Sequence, residues 1–240
     1  MSGKIRAAAI FLAVLLMFSC VSLPAHARSY KEDDIASADV GDTVFFGNYE
    51  QNDDEDDGKE PIEWIVLAKK EDRILVISKY VLAAGKYHER STSVTWKDCS
   101  LREWLNDDFL EDAFTKEEIG KIPTVTVKAD KNPKYGTNPG KDTKDQIFLL
   151  SAKEAKKYFD SNAGRQCKPT KTAKEQDVYV KSGYCWWWLR TPGDYGYKAM
   201  AVRNNGELLN GGYTVHNGGK ANSKKTYGGI RPAMWIQITE

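Results

Sequence analysis

Three consecutive tryptophans, Trp186-Trp187-Trp188, run into Leu189-Arg190 and are the hardest part of this sequence to accommodate. The run is short, aromatic and flanked by turn residues, which predicts a strand. Neighbouring side chains of a strand point to opposite faces. Trp186, Trp188 and Arg190 then share one face, and Trp187 and Leu189 the other. At least one face must meet a core. If Trp187 and Leu189 point inward, Trp186, Trp188 and Arg190 form an exposed aromatic platform, with Trp186 the ring most expected at the surface. If the sheet is covered on both sides, the indoles are core and Arg190 pairs with an internal carboxylate. The sequence leaves both open.

The rest of the chain limits where such a strand can live. Lys4 and Arg6 precede an uncharged apolar run, Ala7 to Phe18, which is shorter than the roughly 20 residues of a membrane-spanning helix. Pro24 and the small-x-small pattern Ala25-His26-Ala27 complete a signal peptide over residues 1–27. A rival reading makes Met17-Phe18-Ser19-Cys20 a lipoprotein box with Cys20 lipidated, the one route by which this chain is expected to touch a membrane. Removing residues 1–27 from the 240 leaves 213. Without Lys4 and Arg6 the 35 basic residues become 33 against 34 acidic, a net charge of −1. That balance argues against a nucleic-acid partner, which selects a basic excess. All 7 tryptophans remain, with Cys99, Cys167 and Cys185. Three cysteines allow at most one internal bridge. The pairing stays open, although Cys167 and Cys185 close the shorter loop.

Residues 28–39 are polar and predict a flexible leader; residues 40–240 predict one α+β domain of antiparallel strands and a few short helices. Strands are expected from Val44, over Ile62–Ala68 and Arg73–Lys79 as a hairpin, over Ile122–Ala129 and over Ile147–Leu150. Ser100 is expected to cap a helix with Leu101, Trp104, Leu105 and Phe109 on one face. Thr115–Glu118 and Ser151–Glu154 are capping boxes. Asp130 to Asp145 reads as a long loop. After Cys185 come strands at Trp186–Arg190, Lys198–Arg203, Glu207–Leu209, Tyr213–Val215 and Ile230–Ile238. Turns are expected at Asn204-Asn205-Gly206 and Asn210-Gly211-Gly212.

Familiar chemistry is mostly missing. The sequence has no Cys-x-x-Cys pair, His-Glu-x-x-His run or Gly-x-Ser-x-Gly elbow. Gly136-Thr137-Asn138-Pro139-Gly140-Lys141 is one residue short of a phosphate loop, and Asp142 would repel phosphate. An EF-hand begun at Asp53 puts Gly58 correctly, but its twelfth position falls on Trp64, where a carboxylate is needed. Asn52–Lys59 therefore predicts a solvated acidic hairpin tip. No metal, cofactor or catalytic residue is expected.

Several motifs occur together and in order. They are Gly47-Asn48-Tyr49-Glu50-Gln51, Pro61-Ile62-Glu63-Trp64-Ile65-Val66-Leu67, Leu101-Arg102-Glu103-Trp104-Leu105-Asn106 and Phe148-Leu149-Leu150-Ser151. Trp187-Trp188-Leu189-Arg190-Thr191-Pro192-Gly193 and Gly229-Ile230-Arg231-Pro232-Ala233-Met234-Trp235-Ile236 follow. From Val40 to Ile238 the chain resembles a bacterial family known as domain of unknown function 6273, frequent in exported proteins. Thr191 stands where that family usually has Ser, Met234 where it has Leu, and Trp186 is an addition. The resemblance implies export and supplies no catalytic residues. More distantly, the Trp-rich strand, the glycine-punctuated strands and the closing Gly-hydrophobic-Arg segment resemble C-type-lectin-like domains, including the formylglycine-generating enzymes. That likeness implies a lectin-like core. The calcium-dependent sugar motifs Glu-Pro-Asn and Gln-Pro-Asp are absent.

The expected function is an exported binding domain for glycan or a cell-surface protein. Its candidate surface is Trp186, Trp188, Arg190, Arg203, Asn204, Asn205 and Tyr213, since flat indoles beside polar groups suit a sugar's C–H face and hydroxyls. The alternatives are a lectin-fold oxidase using Cys167 or Cys185 with copper, and an accessory module without a small ligand. Arg231 is expected to bond carbonyls or stack on an indole.

Overall fold

The computed structural model describes residues 32–216, 219–221 and 224–238. The expected signal peptide and the start of the leader lie outside these residues. The chain forms one α+β domain with mostly antiparallel sheets and short helices, built on two five-stranded sheets. The first sheet runs in the order Thr43–Tyr49, Glu60–Lys69, Arg73–Ser78, Ala233–Gln237, Ile147–Phe148, and every pairing is antiparallel. The second runs Leu208–Thr214, Lys198–Val202, Trp187–Pro192, Gly228–Ile230, Ala83–Gly85. Its single parallel contact joins Trp187 to Gly229. Helices Ser100–Asn106, Asp108–Ala113 and Ala152–Tyr158 pack on these sheets through Leu101, Leu105, Phe109 and Ala155, all buried.

The chain passes between the two sheets twice at one place. Arg73–Ser78 leaves the first sheet and returns as Ala83–Gly85 in the second. Gly228–Ile230 leaves the second and returns as Ala233–Gln237 in the first. The crossings run side by side: Ser78 N–H donates to Pro232 O at 2.9 Å, and Leu82 N–H to Ile230 O at 3.1 Å. The closing strand, expected as one run from Ile230 to Ile238, is thus broken at Arg231-Pro232. Pro232 has no N–H for a ladder, and the segment there changes sheets.

Arg231 occupies this crossing. It is 1% exposed; its Nε donates to Ser78 O at 2.8 Å. Its guanidinium lies over the Trp187 ring at 5.1 Å and the Phe159 ring at 5.3 Å. Both expected contacts, carbonyl and indole, are present.

Other local expectations divide by cause. Both capping boxes form, with Thr115 Oγ1 accepting from Glu118 N and Ser151 Oγ from Glu154 N. Ser100 does not cap its helix. Cys99 holds the cap position without a side-chain bond, and Ser100 Oγ lies 3.0 Å from His88 Nδ1. The leader is docked over part of its length, because Glu32–Ser37 is a helix and Ile35 and Ala38 are buried. Thr143–Asp145, expected as loop, is a strand paired with Val125–Val127. Asn210-Gly211-Gly212, expected as a turn, lies inside the strand Leu208–Thr214 at an irregularity in register. Gly212 has φ +71, and a Cβ there would sit 2.3 Å from Ala199 O. Its glycine chemistry serves a bulge rather than a turn.

Arg231→Ala removes a buried side chain from between two rings and frees Ser78 O at the crossing. A loss of about 2–5 kcal/mol of stability is expected, on the scale of large-to-Ala core changes. Urea unfolding checks this; an unchanged midpoint would sink the structural role assigned to Arg231.

Candidate binding surface

The tryptophan strand is buried along its whole length. Trp186, Trp188 and Arg190 are 3%, 0% and 4% exposed, which removes them as a solvent-facing platform. The reason is that the second sheet is covered on both faces. On one face Trp186 meets Trp188 edge-on at 4.7 Å and is overlain by Tyr213 at 4.4 Å. Trp188 packs on Tyr87 at 5.6 Å and donates from Nε1 to Gly85 O at 3.0 Å. On the other, Trp187 donates to Arg165 O at 3.0 Å and carries Arg231. Arg190 pairs with Glu154, its Nη2 2.9 Å from Oε1, and donates to Leu149 O at 2.7 Å. Of the two arrangements the sequence left open, the chain adopts the doubly covered one. Gly228 makes it fit, since a Cβ there would lie 2.1 Å from Trp188 Nε1.

The other expected residues lie at the surface. Arg203 and Asn205 are exposed, while Asn204 and Tyr213 are half-buried. Arg203 is 3.6 Å from Glu207, Asn204 O accepts from Gln166 Nε2 at 3.0 Å, and Asn205 Oδ1 accepts from Glu207 N–H at 3.2 Å. Burial pushes the Tyr213 hydroxyl up, with the Arg203 charge opposing it. Arg203 follows the end of the Lys198–Val202 strand, whereas Tyr213 lies opposite Ala199 in register, with Trp186 beneath its ring. Trp188 and Arg190 do not join them at the surface.

Exposed aromatic area lies at the opposite end of the Lys198–Val202 strand. Among the described residues, Tyr195 is 57% exposed, Tyr197 42% and Tyr135 48%. The Tyr195 and Tyr197 rings are nearly parallel, 7° apart with centroids 5.5 Å from each other. The turn that carries them is closed by Gly193 N–H to Lys198 O at 2.7 Å and Lys198 N–H to Tyr195 O at 3.0 Å. Gly196 O accepts from Val94 N–H, and Tyr197 O from Val215 N–H, at 2.9 and 3.0 Å. An ion pair borders the rings: Lys198 Nζ is 3.1 Å from Asp194 Oδ1 and 5.6 Å from the Tyr195 centroid.

A buried asparagine sets this turn in place. Asn132 is 2% exposed, and its Nδ2 donates to Pro192 O and Asn210 O, both at 2.8 Å. Its Oδ1 accepts from Lys134 N–H and Tyr135 N–H at 2.9 and 3.0 Å. Thr137 Oγ1 donates to Gly193 O at 2.7 Å. The loop bearing Tyr135 is thus clamped to the turn bearing Tyr195 and Tyr197. Sequence reading passed over these tyrosines. The available signal was Tyr195-Gly196-Tyr197, two aromatics around a glycine directly after Pro192-Gly193, in a segment too short to bury them.

The remaining chemistry is sparse. Cys99, Cys167 and Cys185 are free and buried, and desolvation pushes every thiol up, that of Cys99 to about 12. Glu50, Asp57 and Glu60 bring one oxygen each within 4.8 Å of the others. Asn52 Nδ2 donates to Asp57 Oδ2 at 3.0 Å, and Gln51 N–H to Glu60 Oε2 at 2.7 Å. The acidic tip, Asp53 to Lys59, is solvent-exposed. Among the described residues no helix is long and apolar enough to cross a membrane.

Residues 71–238 match a family model described as a domain of unknown function, DUF6273. No curated protein and no solved structure matches the chain.

Trp64, Trp96, Trp186, Trp187 and Trp188 are buried, whereas Trp104 and Trp235 are half-buried. A neutral quencher such as acrylamide should reach fluorescence from the last two and leave the rest shielded. Trp186→Ala should cost about 3–5 kcal/mol in stability, the range for deleting a buried Trp. Ready quenching of most of the emission, or a Trp186→Ala variant of full stability, would contradict the doubly covered sheet.

Proposed function

The chain belongs to the DUF6273 family, and we propose that it acts as an exported binding domain that recognises glycan through its tyrosine turn. The observation that carries this reading is the exposed, parallel Tyr195–Tyr197 pair beside the Asp194–Lys198 ion pair. A pyranose ring offers an apolar C–H face and a rim of hydroxyls. Flat phenol rings match the first, and a carboxylate with an ammonium group matches the second. Exposed aromatic area of this kind marks a contact surface more often than a core defect. Tyr135, also exposed, stands on the adjoining loop that Asn132 holds.

Export is supported by Lys4 and Arg6, the apolar run Ala7–Phe18, and Ala25-His26-Ala27. A lectin-like core is part of the proposal. Its support is the Trp187–Pro192 strand lying parallel to the Gly228–Ile230 segment, with the Gly-hydrophobic-Arg run crossing to the closing strand. The copper-oxidase alternative needs thiolates that substrate can reach. Cys167 and Cys185 are 2% and 0% exposed, and burial favours their protonated form, so the arrangement speaks for binding over thiol catalysis. An accessory module without a small ligand would use the same two rings for protein contact, so a glycan array separates the two readings.

A glycan array read with the wild-type chain and with Tyr195→Ala and Tyr197→Ala tests this. Each change should weaken binding at least about tenfold, near the threshold of an interface hot spot, and leave the melting temperature in place. Absence of any glycan signal, or binding indifferent to both substitutions, would overturn the proposal.

A further inference from the structure

Cys167 and Cys185 are direct partners in an isolated antiparallel pairing. The Cys185 N–H donates to Cys167 O at 3.0 Å, and Cys185 Sγ lies 3.4 Å from the same oxygen. Directly opposed residues of an antiparallel pair have Cα atoms about 4.5–5.5 Å apart, inside the span of a disulfide. Cys99 belongs to a different neighbourhood: its Sγ is 3.3 Å from Trp96 O, at the start of the helix Ser100–Asn106.

We propose that Cys167 and Cys185 are a disulfide-forming pair and that Cys99 remains a thiol. The bond would close an excursion, residues 168–184, that holds the helix Lys171–Glu175 and the hairpin of Val180–Lys181 with Tyr184–Cys185. This excursion is already stitched to the second sheet and its approach. Val81 N–H donates to Lys168 O, and Thr170 N–H to Val81 O, both at 3.0 Å; Ala84 N–H donates to Gln176 Oε1 at 2.8 Å. Trp186 follows Cys185 directly, so the bond pins the base of the excursion to the start of the tryptophan strand.

The chemistry is thiol–disulfide exchange. A new S–S bond forms between Cys167 and Cys185 as the oxidant's S–S bond breaks. The two cysteines give up two electrons and two protons, and the oxidant leaves as two thiols. The oxidant is itself a disulfide, that of an exported oxidoreductase or of oxidised glutathione. Burial in the folded domain pushes both thiols up and so opposes the attacking thiolate. Exchange therefore belongs to the open chain, before the core closes over the sulfurs. None of this rests on the identity of the ligand.

The test uses the full chain carrying Cys20→Ser, refolded from denaturant with reduced and oxidised glutathione. Protein that has regained its native near-ultraviolet circular dichroism is isolated, unfolded with iodoacetamide but no reductant, and digested with trypsin. Lys171, Lys174 and Lys181 place the two cysteines on separate peptides. The expected result is a linked pair two hydrogens lighter than the free peptides together, and an alkylated Cys99 peptide. The linked pair should vanish in Cys185→Ser and persist in Cys99→Ser. Alkylation of both Cys167 and Cys185 in the native fraction, a glutathione adduct on either, or a link to Cys99 would overturn the proposal. Failure to regain the native spectrum with oxidised glutathione, when refolding under reductant succeeds, would overturn it equally.

Discussion

A guanidinium that no carboxylate pairs with among the described residues is buried where the chain passes twice between its two sheets. Taking such a charge out of water costs several kcal/mol unless the surroundings compensate. Here compensation comes from the Ser78 carbonyl and from two ring faces, Trp187 in the second sheet and Phe159 just past the helix Ala152–Tyr158. Nη1 of Arg231 has no hydrogen-bond partner among the described residues, so the balance rests on few contacts. Each of them comes from a different element. Strand Arg73–Ser78, the tryptophan strand and the end of a helix must all be in place before the charge is tolerated. The arginine thus selects one arrangement of the sheets over looser ones, and the order of the rest follows from it.

The tryptophan strand is the second half of that arrangement. Arg231 needs Trp187 on one face, and the strand's alternation then sends Trp186 and Trp188 to the other. Those indoles are sealed by Tyr87, Tyr213 and the bare backbone of Gly228. Arg190, on the same face, meets Glu154, and Glu154 also completes the capping box of Ser151. One carboxylate therefore ties the strand to a helix start. Aromatic area spent this way is unavailable to a ligand, and the exposed rings are left at a turn at the sheet's end, where Tyr195 and Tyr197 stand in solvent.

What the sequence made legible was local. The Glu60–Lys69 and Arg73–Ser78 hairpin, the Thr115 and Ser151 boxes and the α+β order all depend on neighbours a few residues apart. What it hid was non-local. Burial of Trp186 and Trp188 depends on Gly85, Tyr213 and Gly228, none adjacent in the chain. The break at Arg231-Pro232 depends on a second crossing some 150 residues earlier, at Ser78. The periodicity that assigned faces to the strand was right; it carries no information about what covers each face. Arg203, Asn204 and Asn205 lie at or near the surface, because turn chemistry places them there whatever the core does, whereas Tyr213 is a half-buried strand residue over Trp186.

For the proposed site, preorganisation would offset the small aromatic surface. Binding loses affinity to whatever freedom it must freeze. Tyrosine presents a large contact area on two side-chain torsions, so little is lost when it is held. The backbone beneath these rings is already held: Asn132 satisfies two carbonyls and two amides from three chain segments, and its burial shields those bonds from competing water. Stacking between Tyr195 and Tyr197 restricts each ring against the other. A ligand arriving there meets a formed surface instead of having to organise one.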